Sequence, residues 1–458
     1  MKNITIENIV NICDGRLYGE EWIRDDKKEA AGVVLDSRLL KQDYIFIATK
    51  GEKVDGHKFI PSVFENGAMA VICEDIPEKM AGPCIQVADS FQALKKLAMF
   101  YRQQLDLKVI GITGSVGKTS TKEFVAGVLS AKYKVWKTQG NFNNEIGLPL
   151  TVLQLREEHE IAVLEMGISD FGEMHRLSEI AKPDLCVLTN IGQCHLEFLG
   201  DRDGVLKAKT EIFDFMNPQG KIFVNGDDDK LITLKEQWKD QLITFGVKEE
   251  NDIHASGKIS RGLLGSVADL RGLINIDHIS IPLPGEHMVL NALAASAVAD
   301  FLGLSSEEIK EGMKQVKAIS GRSNIMSLNE IVLIDDCYNA NPVSMKAAIE
   351  LLQFANGKKV AILGDMFELG EEEKQLHYEV GQYAAGKVDV LICIGKLAKH
   401  MYDGAVEHGQ EKILYLEEKE EVYAKLKEII MPQDTILLKA SHGMGFSDLV
   451  SWFETHSV

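Results

Sequence analysis

Cysteine is scarce and unpatterned. The seven residues fall at 13, 73, 84, 186, 194, 337 and 393, with no C-x-x-C pair. An odd count without paired spacing argues against both a disulfide framework and a zinc ribbon. Long apolar runs are missing too, since none approaches the roughly 18 residues that a membrane helix needs. The first residues, Met1 to Glu7, lack an apolar signal core and carry an early acid. Cations are outnumbered, 50 Lys and Arg against 69 Asp and Glu, for a net charge of −19. A protein that holds nucleic acid by neutralising its backbone needs the opposite balance. A local basic pocket for a nucleotide remains compatible with it. The expectation is a cytoplasmic monomer acting on small molecules, with no nucleic-acid partner and no membrane insertion.

What is present is ordinary globular composition, 45% hydrophobic and 26% charged. Wholesale disorder is thereby excluded. A chain of 458 residues suggests about three domains at roughly 150 residues each. Short strand-like runs (44–48, 68–73) and a helix-like stretch (90–104) fill the first part. A strand at 107–113 then opens a new pattern, followed by a glycine loop and a helix from Lys118. Apolar runs at 161–164, 185–189 and 221–224 read as buried strands with helices between some of them. Residues 251–284 read as a β excursion, and a helix at 289–302 follows. Near Ile319-Ser320-Gly321 a second strand–helix series begins, with strands expected at 331–334, 360–363, 388–394 and 435–439 and helices at 343–354 and 374–385; Pro342 suits the first position of the helix that follows the 335–341 turn. Such alternation predicts parallel sheets. The fold class is therefore α/β with three domains, 1–105, 106–319 and 320–458.

The strongest local signal is Gly111-Ile112-Thr113-Gly114-Ser115-Val116-Gly117-Lys118-Thr119-Ser120. It sits where a strand turns into a helix, the context a phosphate loop needs. Gly114 and Gly117 let backbone N–H groups approach phosphate oxygens. Lys118 offers a point charge, Thr119 a hydroxyl for Mg²⁺, and the helix N-terminus a favourable dipole. Ile112 departs from the longer phosphate-loop pattern, which has Gly there; the shorter T-G-x-x-G-K-T form fits fully.

Three more residues could complete a Mg²⁺–ATP site. Glu165 ends the apolar run 161–164, and a carboxylate at that end of a strand faces the ligand crevice. An ordinary solvated loop Glu is the plainer reading. His195 lies just past another strand, as either a ligand or a satisfied structural residue. On a helix over 203–216, at about 100° per residue, Lys209 shares a stripe with Val205, Ala208, Ile212 and Met216. A lysine there needs a partner or a chemical change, such as carbamylation, unless its tip snorkels to solvent.

Taken together, these residues resemble the ATP-dependent Mur ligases of peptidoglycan synthesis, over nearly the whole chain. The matching runs include Thr113–Thr119, Gly140–Pro149, Leu164–Gly167, Asn190–Gly192 with His195–Glu197, and Ala208-Lys209. The resemblance implies a smaller N-terminal α/β domain for the UDP-sugar-peptide. It also implies a central P-loop parallel-sheet ATPase domain and a C-terminal Rossmann-like α/β domain for the acceptor. It implies catalytic roles for Lys118, Lys209 and His195, and nucleotide contacts from Thr113 to Ser120. Asn291, Arg322, Asp336, Tyr338 and Asn339 are implied nucleotide contacts as well. Thr119, Glu165, His195 and a carbamylated Lys209 are the implied metal set, for two Mg²⁺ ions. Ser37, Arg38, Asp55, His57, Asn143, Asn144, Asn341 and Asp365 are the implied substrate contacts, and Glu52 stands in the N-terminal motif beside them.

Two C-terminal runs, Asp335–Pro342 and Leu363–Gly370, resemble the branch of the family that adds D-alanyl-D-alanine to a UDP-muramoyl tripeptide. The implied chemistry is ATP-driven conversion of a carboxylate to an acyl phosphate, attack by an amine, and domain closure that excludes water. The branch that makes the tripeptide, or a P-loop NTPase switch, are the alternatives. Two departures stand out. Met288 replaces the usual Asn, and His442 replaces the arginine of a Lys-Gly-Ser-Arg run, here Lys439-Ala440-Ser441-His442.

Overall fold

The computed structural model describes residues 1–51 and 54–456, so Glu52 lies outside the described residues. The strands fall into three sheets. The chain packs as two compact units, 1–113 with 132–188 and 207–222, and 114–131 with 189–206 and 223–458.

In the first unit, strands Gly32–Val34, Tyr44–Ile47, Ala70–Cys73 and Cys84–Gln86 pair in parallel. Arg16–Tyr18 closes that sheet antiparallel to Cys84–Gln86. The helix Ser90–Gln103 starts where the Asp89 carboxylate accepts from the N–H groups of Phe91 and Gln92, an N-cap that satisfies orphan donors. The same unit holds Leu185–Leu188, Lys108–Thr113, Ile161–Glu165 and Val135–Lys137, side by side in that order and all parallel. Strand Lys221–Asn225 runs across the division between the units.

The second unit carries the expected β excursion as Ile253–Ser260, Ser266–Gly272 and Ile276–Ile281, paired antiparallel. Helix Glu286–Phe301 follows. The last sheet orders Asn324–Leu328, Ile331–Asp335, Thr435–Lys439, Lys359–Gly364, Val390–Ile394 and Ile413–Leu416. All but the first are parallel. Its central strands are nearly continuous apolar runs because helices cover both faces. Val360, Ile362, Val390, Ile392, Ile436 and Leu438 fill the core on one face. Ala361, Leu363, Leu391, Cys393 and Leu437 fill the core on the other.

Some expectations shift. The helix expected over 203–216 runs Arg202–Thr210 and tightens into the 3-10 turn Glu211–Phe213. The Ser178 hydroxyl donates to the Ile212 carbonyl and accepts from the Phe215 N–H, replacing backbone partners that would continue the helix. Strands Val135–Lys137, Asn324–Leu328 and Ile413–Leu416 were not anticipated. They are half-buried sheet edges; Val135–Lys137 and Asn324–Leu328 lack a strong apolar pattern, and Ile413–Leu416 is an apolar run of only four residues. All seven cysteines are free, and all but Cys194 are buried. Among the described residues no helix is long and apolar enough to cross a membrane.

Candidate active site

Beyond the buried strand Lys108–Thr113, the chain turns through Gly114–Gly117 into helix Lys118–Leu129. Gly114 has φ 148°, and a Cβ there would stand 2.0 Å from Thr189 Oγ1. Only glycine allows that approach. Gly117 takes φ 84°, and no side chain caps the helix it opens. That leaves a helix N-terminus suited to anionic oxygens. The Lys118 ammonium donates to the carbonyls of Gly114, at 2.9 Å, and Ser115, at 3.4 Å, so it lies over its own loop. Thr119 is buried; Thr113 is buried with its hydroxyl unpaired.

The loop is clamped by the segment after strand Leu185–Leu188, a function that sequence reasoning did not assign. Asn190 accepts from the Val116 N–H and donates to the Val116 carbonyl, each at 2.9 Å. Thr189 donates to the same carbonyl at 2.6 Å. The Ser115 N–H reaches the Asn190 carbonyl at 2.9 Å, and the Gly192 N–H reaches Ser115 Oγ at 2.8 Å. Asn190 thus imitates a strand partner for the loop. Its sequence signal was an amide residue placed directly after a buried strand.

In the first unit, Glu165 completes strand Ile161–Glu165 and is 2% exposed. A solvated loop Glu is therefore not what the fold contains. Asn143 Nδ2 donates to Glu165 Oε1 at 2.8 Å, so two expected site residues meet. The buried Thr138 hydroxyl accepts from the Glu165 N–H at 3.0 Å. Asn144 instead folds the turn that leads into helix Gly147–Leu153, accepting from the Ile146 and Gly147 N–H groups at 3.2 and 2.8 Å. Lys209 is 1% exposed and shares its stripe with the buried Val205, Ala208, Ile212 and Met216, so snorkelling is excluded. Lys207, on the opposite side, is exposed and lies over the Phe171 ring.

In the second unit, His195 adopts φ 52°, uncommon for a residue with a Cβ and frequent at functional sites. Its Nδ1 lies 3.6 Å from Glu368 Oε2. Asn291 is buried; it accepts from the Thr121 hydroxyl at 2.8 Å and donates to Met288 Sδ at 3.4 Å. The Met288 departure therefore supplies a weak acceptor where the family has an amide.

The C-terminal candidates gather at the end of strand Ile331–Asp335. The Arg322 guanidinium lies 4.0 Å over the Tyr338 ring, and the His442 ring is 5.6 Å from it. Asp336 pairs with the buried Lys439 ammonium at 2.6 Å, which also donates to the Asn339 carbonyl at 3.0 Å. Lys439 was not among the expected residues, although it ends an apolar strand as Glu165 does. Burial lowers the His287 pKa, Asp336 opposing the shift and Lys439 adding to it. Asn341 caps helix Pro342–Leu351 in a reciprocal box with Ser344, and Pro342 takes the first helical position as expected. Asp365 accepts from the Ala398 N–H at 2.7 Å; burial still raises its pKa.

The N-terminal candidates sit in the first unit. Ser37 opens a 3-10 turn capped by Asp36, whose carboxyl pKa is lowered by the Arg38 guanidinium bound to it. Arg38 is otherwise exposed. His57 Nε2 accepts from the Glu74 N–H at 3.1 Å, so the ring proton belongs on Nδ1, 2.7 Å from Asp55 Oδ1. Asp55 is held below its usual range, first by the His57 backbone N–H and then by the ring.

Among the described residues no three His, Cys, Asp or Glu side chains converge as a metal cage. Mg²⁺ does not need one. It is commonly held by one or two carboxylates together with substrate phosphates, and Glu165 is a buried carboxylate of the first unit.

Three family profiles match the chain: "Mur ligase family, catalytic domain" over 29–102, "Mur ligase middle domain" over 112–299, and "Mur ligase, glutamate ligase domain" over 321–442. The UDP-N-acetylmuramoyl-tripeptide–D-alanyl-D-alanine ligase of Bacillus subtilis (strain 168) is 38% identical over 455 residues, covering 97% of both chains. The crystal structure of MurF from Acinetobacter baumannii superposes with a TM-score of 0.88 at 32% identity, covering 99% of both chains. MurF from Thermotoga maritima in complex with ADP gives 0.79 at 30% identity, covering 92% of this chain and 97% of that one. With its phosphate loop, its buried strand-end carboxylate and this end-to-end likeness, the chain belongs to the Mur ligase family.

Proposed function

We propose that the protein joins D-alanyl-D-alanine to UDP-N-acetylmuramoyl-tripeptide, with conversion of ATP to ADP and phosphate, in the cytoplasm. The observation that carries this reading is the end-to-end likeness to a ligase of that name, 38% identical across 97% of both chains. We assign 1–105 to the UDP substrate, 106–319 to ATP and 320–458 to the acceptor. The extents of the three family profiles support that division.

A carboxylate resists attack because it has no good leaving group. Phosphorylation by ATP gives an acyl phosphate. The acceptor amine attacks its carbonyl carbon, the C–O bond to phosphate breaks, and the amine proton leaves. The loop 114–117 and the N-terminus of helix Lys118–Leu129 receive phosphate oxygens, and Lys118 swings from its loop carbonyls to neutralise them. Arg322, Asp336, Tyr338, Asn339 and Asn291 form the nucleotide side in this reading. Asn143 orients Glu165 through the bond to Oε1. Glu165, Thr119, His195 and Lys209 would hold Mg²⁺, two ions in all, which neutralises phosphate charge and aligns donor with acceptor. Ser37, Arg38, Asp55 and His57 serve the UDP substrate. Asn144, Asn341 and Asp365 complete the substrate contacts, although Asn341 also caps a helix and the other two accept from backbone N–H groups at a helix start.

We assign Lys209 as a carbamate, which presents anionic oxygens where an ammonium would repel a cation. Its place on the buried stripe supports this. Growth with ¹³C-bicarbonate should give a carbamate carbon resonance that Lys209→Ala lacks. Its absence from the native protein would refute the assignment.

The function is tested with ATP and UDP-muramoyl tripeptide, offering D-alanyl-D-alanine or single amino acids. Product is expected with the dipeptide. Product only with a free amino acid would overturn the reading.

A further inference from the structure

We infer that Asp335 is a positioning residue for nucleotide binding: its buried carboxylate fixes Ser320-Gly321, and through them the stack of Arg322 on Tyr338. Asp335 ends strand Ile331–Asp335 and is 0% exposed. A carboxylate there is costly unless donors meet its oxygens. Oδ2 accepts from the Gly321 N–H at 2.6 Å and from the Ser320 hydroxyl at 3.2 Å. Oδ1 accepts from the Cys337 thiol at 2.9 Å and more weakly from its N–H at 3.4 Å. The buried ammonium nearby, Lys439, is committed to Asp336 instead. Asp335 therefore holds a chain crossover rather than a cation.

Gly321 is the hub of that crossover. Its N–H goes to Asp335, and its carbonyl accepts from the Tyr338 N–H at 3.0 Å. Its φ is +78°, and a Cβ would stand 3.1 Å from Tyr338 Cβ and 3.2 Å from Tyr338 N. Arg322 closes the turn by donating its N–H to the Ile319 carbonyl at 3.0 Å. The guanidinium then lies 4.0 Å above the Tyr338 ring. A stacked guanidinium is a rigid, planar donor, and its use against phosphate depends on placement to about an ångström. Glycine has no conformational preference strong enough to hold that placement alone. Asp335 supplies the missing restraint.

The inference rests on the reading of Arg322 and Tyr338 as nucleotide contacts, so the test separates the two. KM for ATP, KM for UDP-muramoyl tripeptide and kcat are measured for the full chain with Arg322→Ala, Asp335→Asn, Gly321→Ala or Ser320→Ala. Asp335→Asn keeps the shape but can turn an amide donor toward the Gly321 N–H. Its ATP KM should rise by about tenfold, the equivalent of one lost buried hydrogen bond, while the tripeptide KM stays within about twofold. Gly321→Ala should show the same split, and Ser320→Ala a smaller one. If Arg322→Ala leaves the ATP KM unchanged, the nucleotide-contact reading is wrong. If Arg322→Ala raises it while folded Asp335→Asn and Gly321→Ala do not, Asp335 only supports the fold and the inference is wrong. Should Asp335→Asn fail to fold, Gly321→Ala and Ser320→Ala decide in the same way.

Discussion

At the scale of single residues, the site depends on side chains that imitate backbone. Asn190 pairs with both the N–H and the carbonyl of Val116, as a neighbouring strand would. Asn190→Ala should loosen the phosphate loop and raise the ATP KM by roughly tenfold, given about 1 kcal/mol per hydrogen bond. Steady-state kinetics at saturating tripeptide would read this, and an unchanged ATP KM would show that Thr189 and Ser115 suffice. His377 poses a different residue-scale question. It is fully buried, donates from Nδ1 to the Glu373 carbonyl and accepts at Nε2 from the Met366 N–H. Burial lowers its pKa below the ordinary histidine value. The unfolded chain therefore binds this proton more readily. The stabilising contribution is whole above about pH 6.5, the unfolded value, and is lost as pH falls through the depressed folded value. Melting temperatures taken from pH 7.5 down to 5 should fall less steeply for His377→Gln than for the native chain. Parallel curves would contradict this.

At the scale of elements, the sequence was most legible where a buried strand meets a capped helix. Strand Thr435–Lys439 was anticipated to the residue, because its apolar run ends in a charge. Helix Pro342–Leu351 began one residue early, at the proline itself. Lys209 was placed correctly because helical periodicity survives a shift of helix ends, even though Ser178 stops that helix sooner. The half-buried edge strands were not legible, and neither was the Asn190 clamp, since pairing between distant segments leaves no local pattern. Asn341 illustrates a residue with two readings. As an N-cap alone it could be replaced by Ser at little cost, whereas Ala would cost about 1 kcal/mol of stability. As a substrate contact, Asn341→Ser should keep the melting temperature yet lose much of kcat/KM. Equal activity in native and Asn341→Ser enzyme would confine Asn341 to capping.

At the scale of the whole molecule, three sheets and three family profiles follow the chain in order, and the net charge of −19 gains a context. At the loop itself, Lys118 lies over the Gly114 and Ser115 carbonyls. Lys439 is tied to Asp336, and Arg322 is stacked on Tyr338. In the proposed function, Lys118 and Arg322 are the cations that meet a negatively charged nucleotide in this acidic protein. The central claim is that ATP is consumed to activate a carboxylate for amide formation. The most direct measurement uses UDP-muramoyl tripeptide labelled with ¹⁸O in its terminal carboxylate, together with ATP and D-alanyl-D-alanine. The account predicts one labelled oxygen in each phosphate released, formed in step with the amide product. Unlabelled phosphate, or ADP produced without amide, would contradict it.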